Sequence, residues 1–147
     1  MLRRIRVIAL GIVRRSSDGA LLVEEGRDRS DGQVFQRPLG GSVEFGELSA
    51  GTVEREFMEE TGLSLRTTGL VGVVESLFRY GGEDLHEIVF LHSGEFADPT
   101  VYEMDSVPRL DNVDATILWR PRRASEPILV PEGSHRYLGM SERSLRP

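Results

Sequence analysis

Residues 41 to 63 read G-S-V-E-F-G-E-L-S-A-G-T-V-E-R-E-F-M-E-E-T-G-L, a glycine-led turn running into a proline-free stretch that another glycine closes. From Leu48 to Thr61 the one internal glycine is Gly51 and most other residues are good helix formers, so the stretch predicts a helix with Gly62 as its C-terminal cap. At about 100° per residue, Glu56, Glu59 and Glu60 share one face. Ala50, Val53, Phe57 and Thr61 form an adjacent apolar stripe, roughly a quarter-turn away, that anchors the helix on a core. The carboxylates are thus expected beside the anchored edge. Three like charges so close disfavour the helix at neutral pH unless a cation neutralises them, and hard oxygen ligands at this spacing suit Mg²⁺ or Mn²⁺. The plain alternative is a solvated acidic face that also includes Glu54. The fixed offsets argue against it, as do Gly40 and Gly41, which let the backbone turn sharply and come close to a ligand just before the helix.

The run G, five residues, E, seven residues, R-E-apolar-x-E-E-x-G-apolar resembles the signature box of the Nudix hydrolases, and it is complete over 41–63. The lead-in Phe35-Gln36-Arg37-Pro38-Leu39-Gly40-Gly41 is also similar to the family, with Pro-Leu where many members have Leu-Pro before the glycine pair. The resemblance implies an α/β/α sandwich with a mixed sheet, in which a loop, a helix and a second loop bind divalent cations and present a diphosphate to water. It implies Glu56, Glu59 and Glu60 as metal ligands together with the Gly41 carbonyl, and an Arg55–Glu47 pair holding the loop to the helix. The implied reaction is Mg²⁺- or Mn²⁺-dependent hydrolysis of a phosphoanhydride in a nucleoside diphosphate linked to another group. The alternative is a non-catalytic module that senses a nucleotide or nucleotide-sugar on the same fold, though such modules have usually lost box carboxylates and none is missing here. An isomerase of diphosphate-bearing lipids would need a cysteine, and the chain has none. Family members also often draw an acidic ligand or base from outside the box. Glu87 is the candidate, with Asp111 and Asp114 as rivals, while Glu59 is the expected general base against Glu56 and Glu87. A homodimer is plausible by family habit.

Length and composition set the surrounding limits. A chain of 147 residues with 39% hydrophobic content suits one domain over 1–147. The absence of cysteine excludes disulfides and thiolate metal sites and fits a reducing cytoplasm. Val7 to Val13 follows Arg3, Arg4 and Arg6 but is too short for a signal peptide and reads as a strand, and nothing approaches transmembrane length, so no membrane partner is expected. A net charge of −6 argues against duplex nucleic acid. All 18 basic residues are arginine.

Arg3 to Arg15 and Ala20 to Glu25 read as a hairpin on Ser16-Ser17-Asp18-Gly19. Gly26 to Gln33 reads as a loop and Val34 to Arg37 as a strand. Ser64 to Arg79 and Leu85 to Phe96 read as paired strands around Tyr80–Asp84, followed by an acidic loop from Asp98 to Asn112. Ala115 to Arg120 is a further strand, placing Ile117 and Trp119 on one face as core. Pro131 to Leu138 reads as a short helix, with a mobile tail over 139–147. Arg37, four residues before Gly41, is a candidate substrate contact, as is Glu87. Phe35, Phe45, Phe78 and Tyr80 are expected mostly in the core, with stacking on a ring as the alternative. His86, His92 and His135 are too scattered for metal spacing, and no serine sits in a nucleophile-elbow sequence.

Overall fold

A strand that is apolar at every position must be covered on both faces, and two stretches near the start of the chain, Val7–Val13 and Ala20–Val23, make that demand. The computed structural model describes residues 3–111 and 115–139. Asp114 and the tail from residue 140 lie outside the described residues. In chain order the strands are β1 (Ile5–Ile12), β2 (Leu21–Arg27), β3 (Val34–Arg37), β4 (Gly40–Ser42), β5 (Leu65–Tyr80), β6 (Glu83–Phe96), β7 (Ser106–Val107), β8 (Thr116–Arg120) and β9 (Ile128–Leu129). One α-helix, α1 (Ser49–Thr61), follows β4, and 3-10 turns cover Pro99–Glu103 and Glu132–Leu138. No helix among the described residues is long and apolar enough to cross a membrane.

The strands form two mixed sheets where one was expected. The first has the order β4-β1-β6-β5, with β1 parallel to β6 and the other pairs antiparallel. The second has the order β7-β8-β2-β3-β9, with β3 parallel to β9. The expected β1–β2 hairpin survives only at its turn, where Gly19 takes a φ of 74° and Arg15 N–H donates to the Ala20 carbonyl. Beyond it the two strands part into different sheets. Burial explains the parting. Ile8, Leu10 and Ile12 point into one core and Ala9 into another, while Leu21 and Val23 face the first core and Leu22 the second. Each strand therefore needs covering layers on both sides, which a two-stranded ribbon cannot provide.

The β5–β6 hairpin forms as expected, on a tight turn whose Gly81 and Gly82 have φ of 60° and 79°. The loop from Asp98 holds more structure than expected, namely a 3-10 turn and β7. The terminal helical segment is a 3-10 turn. It packs on β5 in the Ile8–Leu10 core, whereas α1 packs in the Ala9 core on the opposite face of the first sheet. This is the expected α/β/α layering. Ile117 and Trp119 both enter the Ala9 core with Phe57, as their spacing required.

The seat of α1 is tight at Gly11, where an added Cβ would lie 2.6 Å from Phe57 Cε1 and 2.9 Å from Val53 Cγ1. Overpacking of this kind costs about 1–3 kcal/mol, so Gly11→Ala should lower the urea midpoint at constant m-value. An unchanged midpoint would mean that α1 is not pressed against β1 as described.

Candidate active site

The turn from β4 into α1 is built around one guanidinium. The N-cap Leu48 offers no side-chain acceptor to the first turn. Glu47 supplies a tie instead, accepting from Thr52 Oγ1 at 2.6 Å and from Arg55 Nε and Nη2 at 2.7 and 3.0 Å. Arg55 also donates to Glu56 at 3.1 Å, to Glu59 at 3.2 Å and to the Ser42 carbonyl at 3.2 Å. The predicted Arg55–Glu47 pair is thus present within a wider hub. Hydrogen bonds from Arg55 and then Thr52 hold the Glu47 carboxyl down at about 2, and the Glu47 bond in turn raises the Arg55 guanidinium.

The three box carboxylates differ more than their shared face suggested. Glu59 is exposed, and Glu56 packs over Gly41, where a Cβ would meet its carboxylate carbon at 2.4 Å. Burial raises the Glu56 carboxyl above its ordinary range. Glu60, expected beside the anchored edge, lies within it at 4% exposure alongside Val53, Phe57 and Thr61. Helical rotation places it one turn below Phe57, so the same packing that seats the phenyl ring encloses the carboxylate. Burial first, and then the nearby Glu24 charge, push the Glu60 carboxyl up to about 8. Its Oε1 is 3.7 Å from Arg109 Nη2, and its Oε2 is buried with no hydrogen-bond partner.

The candidates outside the box fall on two sides. Arg37 joins Glu24 at 3.0 Å, and Glu24 also takes Arg109, which reaches Asp111 at 2.8 Å. Asp111 therefore belongs to the group around Glu60. Glu87, expected outward if it had no role, is buried and bound to Arg6 across the β1–β6 pair, and among the described residues it makes no hydrogen bond or ion pair with the box. Arg37 and Glu87 both line a cavity of about 780 Å³ between the two sheets.

The aromatic residues correct the expectation of a core. Phe35 and Tyr80 meet edge to face at 5.7 Å in the cavity wall, Phe78 and Tyr80 are exposed, and Phe45 is wholly exposed on the box loop. Two of the three histidines serve local structure: His92 bonds Ser49 at 2.7 Å and His135 bonds the Leu129 carbonyl at 2.7 Å. Sequence reasoning missed Glu24 and Arg109. Glu24 carried a signal, since it is a charge at the end of an apolar strand; Arg109 sat in a loop with no periodicity to read.

Among the described residues no three His, Asp or Glu side chains converge as a ligand set, because arginines stand between the carboxylates. The donors nonetheless fit a hard divalent cation. All are oxygens, Glu60 Oε2 is buried and unpartnered, and Glu56 is held against a glycine whose missing side chain leaves the Gly41 backbone bare.

The Glu60 shift has a signed consequence. With an ordinary value of 4.5 when unfolded and about 8 when folded, Glu60 carries a proton in the metal-free fold that the unfolded chain lacks between those values. Metal-free stability should therefore fall as pH rises through that window, and cation binding within it should expel the proton. Calorimetric Mg²⁺ titration in two buffers of different ionisation enthalpy should show close to one proton released near pH 7 and none near pH 9. Equal release at both would contradict the buried, protonated state.

The NUDIX domain family model matches residues 3–120. Solved structures share the fold. They include the E. coli ORF135 protein, at 22% identity and TM-score 0.60 over 99% of this chain and 95% of that one. A MutT Nudix hydrolase from Burkholderia pseudomallei aligns at 23% identity and TM-score 0.62 over 94% and 98%. The MutT protein from Methanosarcina mazei Go1 does so at 18% and 0.61 over 100% and 99%. No curated protein matches the chain in sequence. With a family match across four-fifths of the chain and Glu56, Glu59 and Glu60 of the box in place on α1, the protein belongs to the Nudix family and is a Nudix-type pyrophosphohydrolase.

Proposed function

We propose that the chain hydrolyses a phosphoanhydride bond in a nucleoside diphosphate linked to a further group, with Mg²⁺ or Mn²⁺ as cofactor. The observation that carries this reading is the pairing of a glycine-bared backbone at Gly41 with the Glu56 carboxylate and the unpartnered, buried Glu60 Oε2. Glu56, Glu59, Glu60 and the Gly41 carbonyl would hold the cation, which would screen the diphosphate's charge and make the attacking water more acidic.

The protein's own groups do the rest. Arg55 and Glu47 fix the loop to the helix so that Gly41 and the carboxylates keep their spacing. Water attacks phosphorus, its oxygen forms the new P–O bond, and the bridging P–O bond breaks with its electron pair leaving on the departing phosphate. Glu59, the exposed box carboxylate, takes the water's proton. Glu56 is its rival, because burial already raises its affinity for a proton. Glu87, held by Arg6 on the cavity wall, sits on the substrate side with Arg37. The cavity, with Phe35 and Tyr80 for stacking, has the size and lining for a nucleoside. A reducing cytoplasm, from the lack of cysteine, and a homodimer, from family likeness, complete the proposal.

Glu56→Gln, Glu59→Gln and Glu60→Gln should each cut turnover by on the order of a hundredfold or more. Glu54→Gln should change it little, because Glu54 accepts from Thr67 on the far side of α1. Equal losses at all four positions would refute the assigned face. Hydrolysis of a nucleotide panel in ¹⁸O-water should leave label in a phosphate-containing product, while label only in an organic fragment would mean attack at carbon.

A further inference from the structure

Two arginines from distant parts of the chain share one half-buried carboxylate. Glu24, on β2, binds Arg37 of β3 through Oε1 at 3.0 Å and Arg109 of the β7–β8 loop through Oε2. Its side chain is 14% exposed. Arg109 is fixed further by Asp111 at 2.8 Å, and its loop is pinned to α1 where Leu110 N–H donates to the Glu60 carbonyl at 2.8 Å. Its contact with Glu60 Oε1, at 3.7 Å, is an ion pair beyond hydrogen-bond distance. Two polar atoms in this group are buried without partners, Arg37 Nε and Glu60 Oε2, and such atoms call for a ligand.

Charge explains what that ligand is. The group comprises Glu24, Glu60 and Asp111 against Arg37 and Arg109, a net −1 when all are ionised and 0 while Glu60 carries the proton of the metal-free fold. A divalent cation that takes the ionised Glu60 brings the sum to +1. It also repels the guanidinium across the weakest of Arg109's contacts while Glu24 and Asp111 keep the arginine in place. An arginine pair of net positive charge, preorganised by a shared carboxylate, is a receptor for a phosphate anion. Glu24 and Arg37 line the cavity while Arg109, held by the same Glu24, reaches Glu60 of the box, so the receptor links the box to the proposed nucleoside site.

We propose that Arg109 is a tethered cation that occupies Glu60 until a divalent ion takes it, and that Arg109 and Arg37, held by Glu24, then bind the substrate's diphosphate. The proposal rests on the hydrolase reading above. It makes Arg109 a substrate-binding residue and Glu24 a positioning residue, and it couples the two ligands, since the ion frees the arginine that the phosphate needs.

One variant separates this role from a structural one because its two effects have opposite signs. In Arg109→Gln the competing charge is gone, so Mn²⁺ alone should bind about tenfold tighter by calorimetry, while KM for whichever nucleotide the wild type hydrolyses should rise about tenfold with kcat little changed. Arg37→Gln should raise KM with a smaller gain in Mn²⁺ affinity than Arg109→Gln, because Arg37 acts on the Glu60 charge only from beyond ion-pair distance. Arg109→Lys, which retains the charge, should return Mn²⁺ affinity to the wild-type value and serves as the check if the glutamine variant folds poorly. Weaker or unchanged Mn²⁺ binding in Arg109→Gln, or an unchanged KM, overturns the proposal. Mg²⁺-dependent hydrolysis by the wild type would still stand in that case, and its absence would instead strike the hydrolase reading.

Discussion

Arg55 reaches Glu47, Glu56, Glu59 and the Ser42 carbonyl from a single side chain, and the geometry of the box depends on that reach. A lysine could not make these contacts, since one ammonium cannot span groups on the loop and on both following carboxylates. The guanidinium performs two tasks at once. It closes a helix start that lacks an N-cap side chain, and it neutralises part of an acidic face that would otherwise oppose the helix. The carboxylates proposed to hold the cation are therefore tolerated because their own helix carries the charge that balances them.

Glu60 shows the same economy at greater depth. Packing of Val53 and Phe57 against β1 leaves the next turn facing inward, and the carboxylate there is enclosed whether or not that favours stability. Its balance comes from a different part of the chain, through Arg109, and the second carboxylate needed to hold that arginine is Glu24. Arg120 follows the same logic away from the site, buried and satisfied by Gln36 and by the Ala124 and Pro127 carbonyls. A chain whose cations are all arginine can bury them where fixed, multidentate acceptors exist.

Local information made the box legible. Helix propensity, the Gly62 cap and the carboxylate spacing all act within one segment, and α1 formed within one residue of its expected start. The Glu47–Arg55 pair followed from the family resemblance. The division into two sheets was not legible, because the turn at Ser16–Gly19 signals a hairpin whether its strands stay together or part. Only the burial of both faces of β1 and β2 decides between them, and that is a property of the assembled layers. Arg109 was hidden for a similar reason: a loop residue acquires its role from what the fold brings to it. Hydrophobicity favours the core over ring stacking for Phe35 and Tyr80, yet they form a wall of the cavity, where apolar surface is held open between the sheets.

The central claim is that the Gly41 turn, the box carboxylates and the Arg109 loop surround the proposed divalent-cation site. Paramagnetic broadening by substoichiometric Mn²⁺ in an assigned amide spectrum tests it most directly. The account predicts that signals of residues 40–42, 55–61 and 109–111 vanish first and together, while those of the exposed acidic turn at Glu83 and Asp84 persist. Broadening centred on Glu83 and Asp84, or spread evenly over acidic residues, would contradict it.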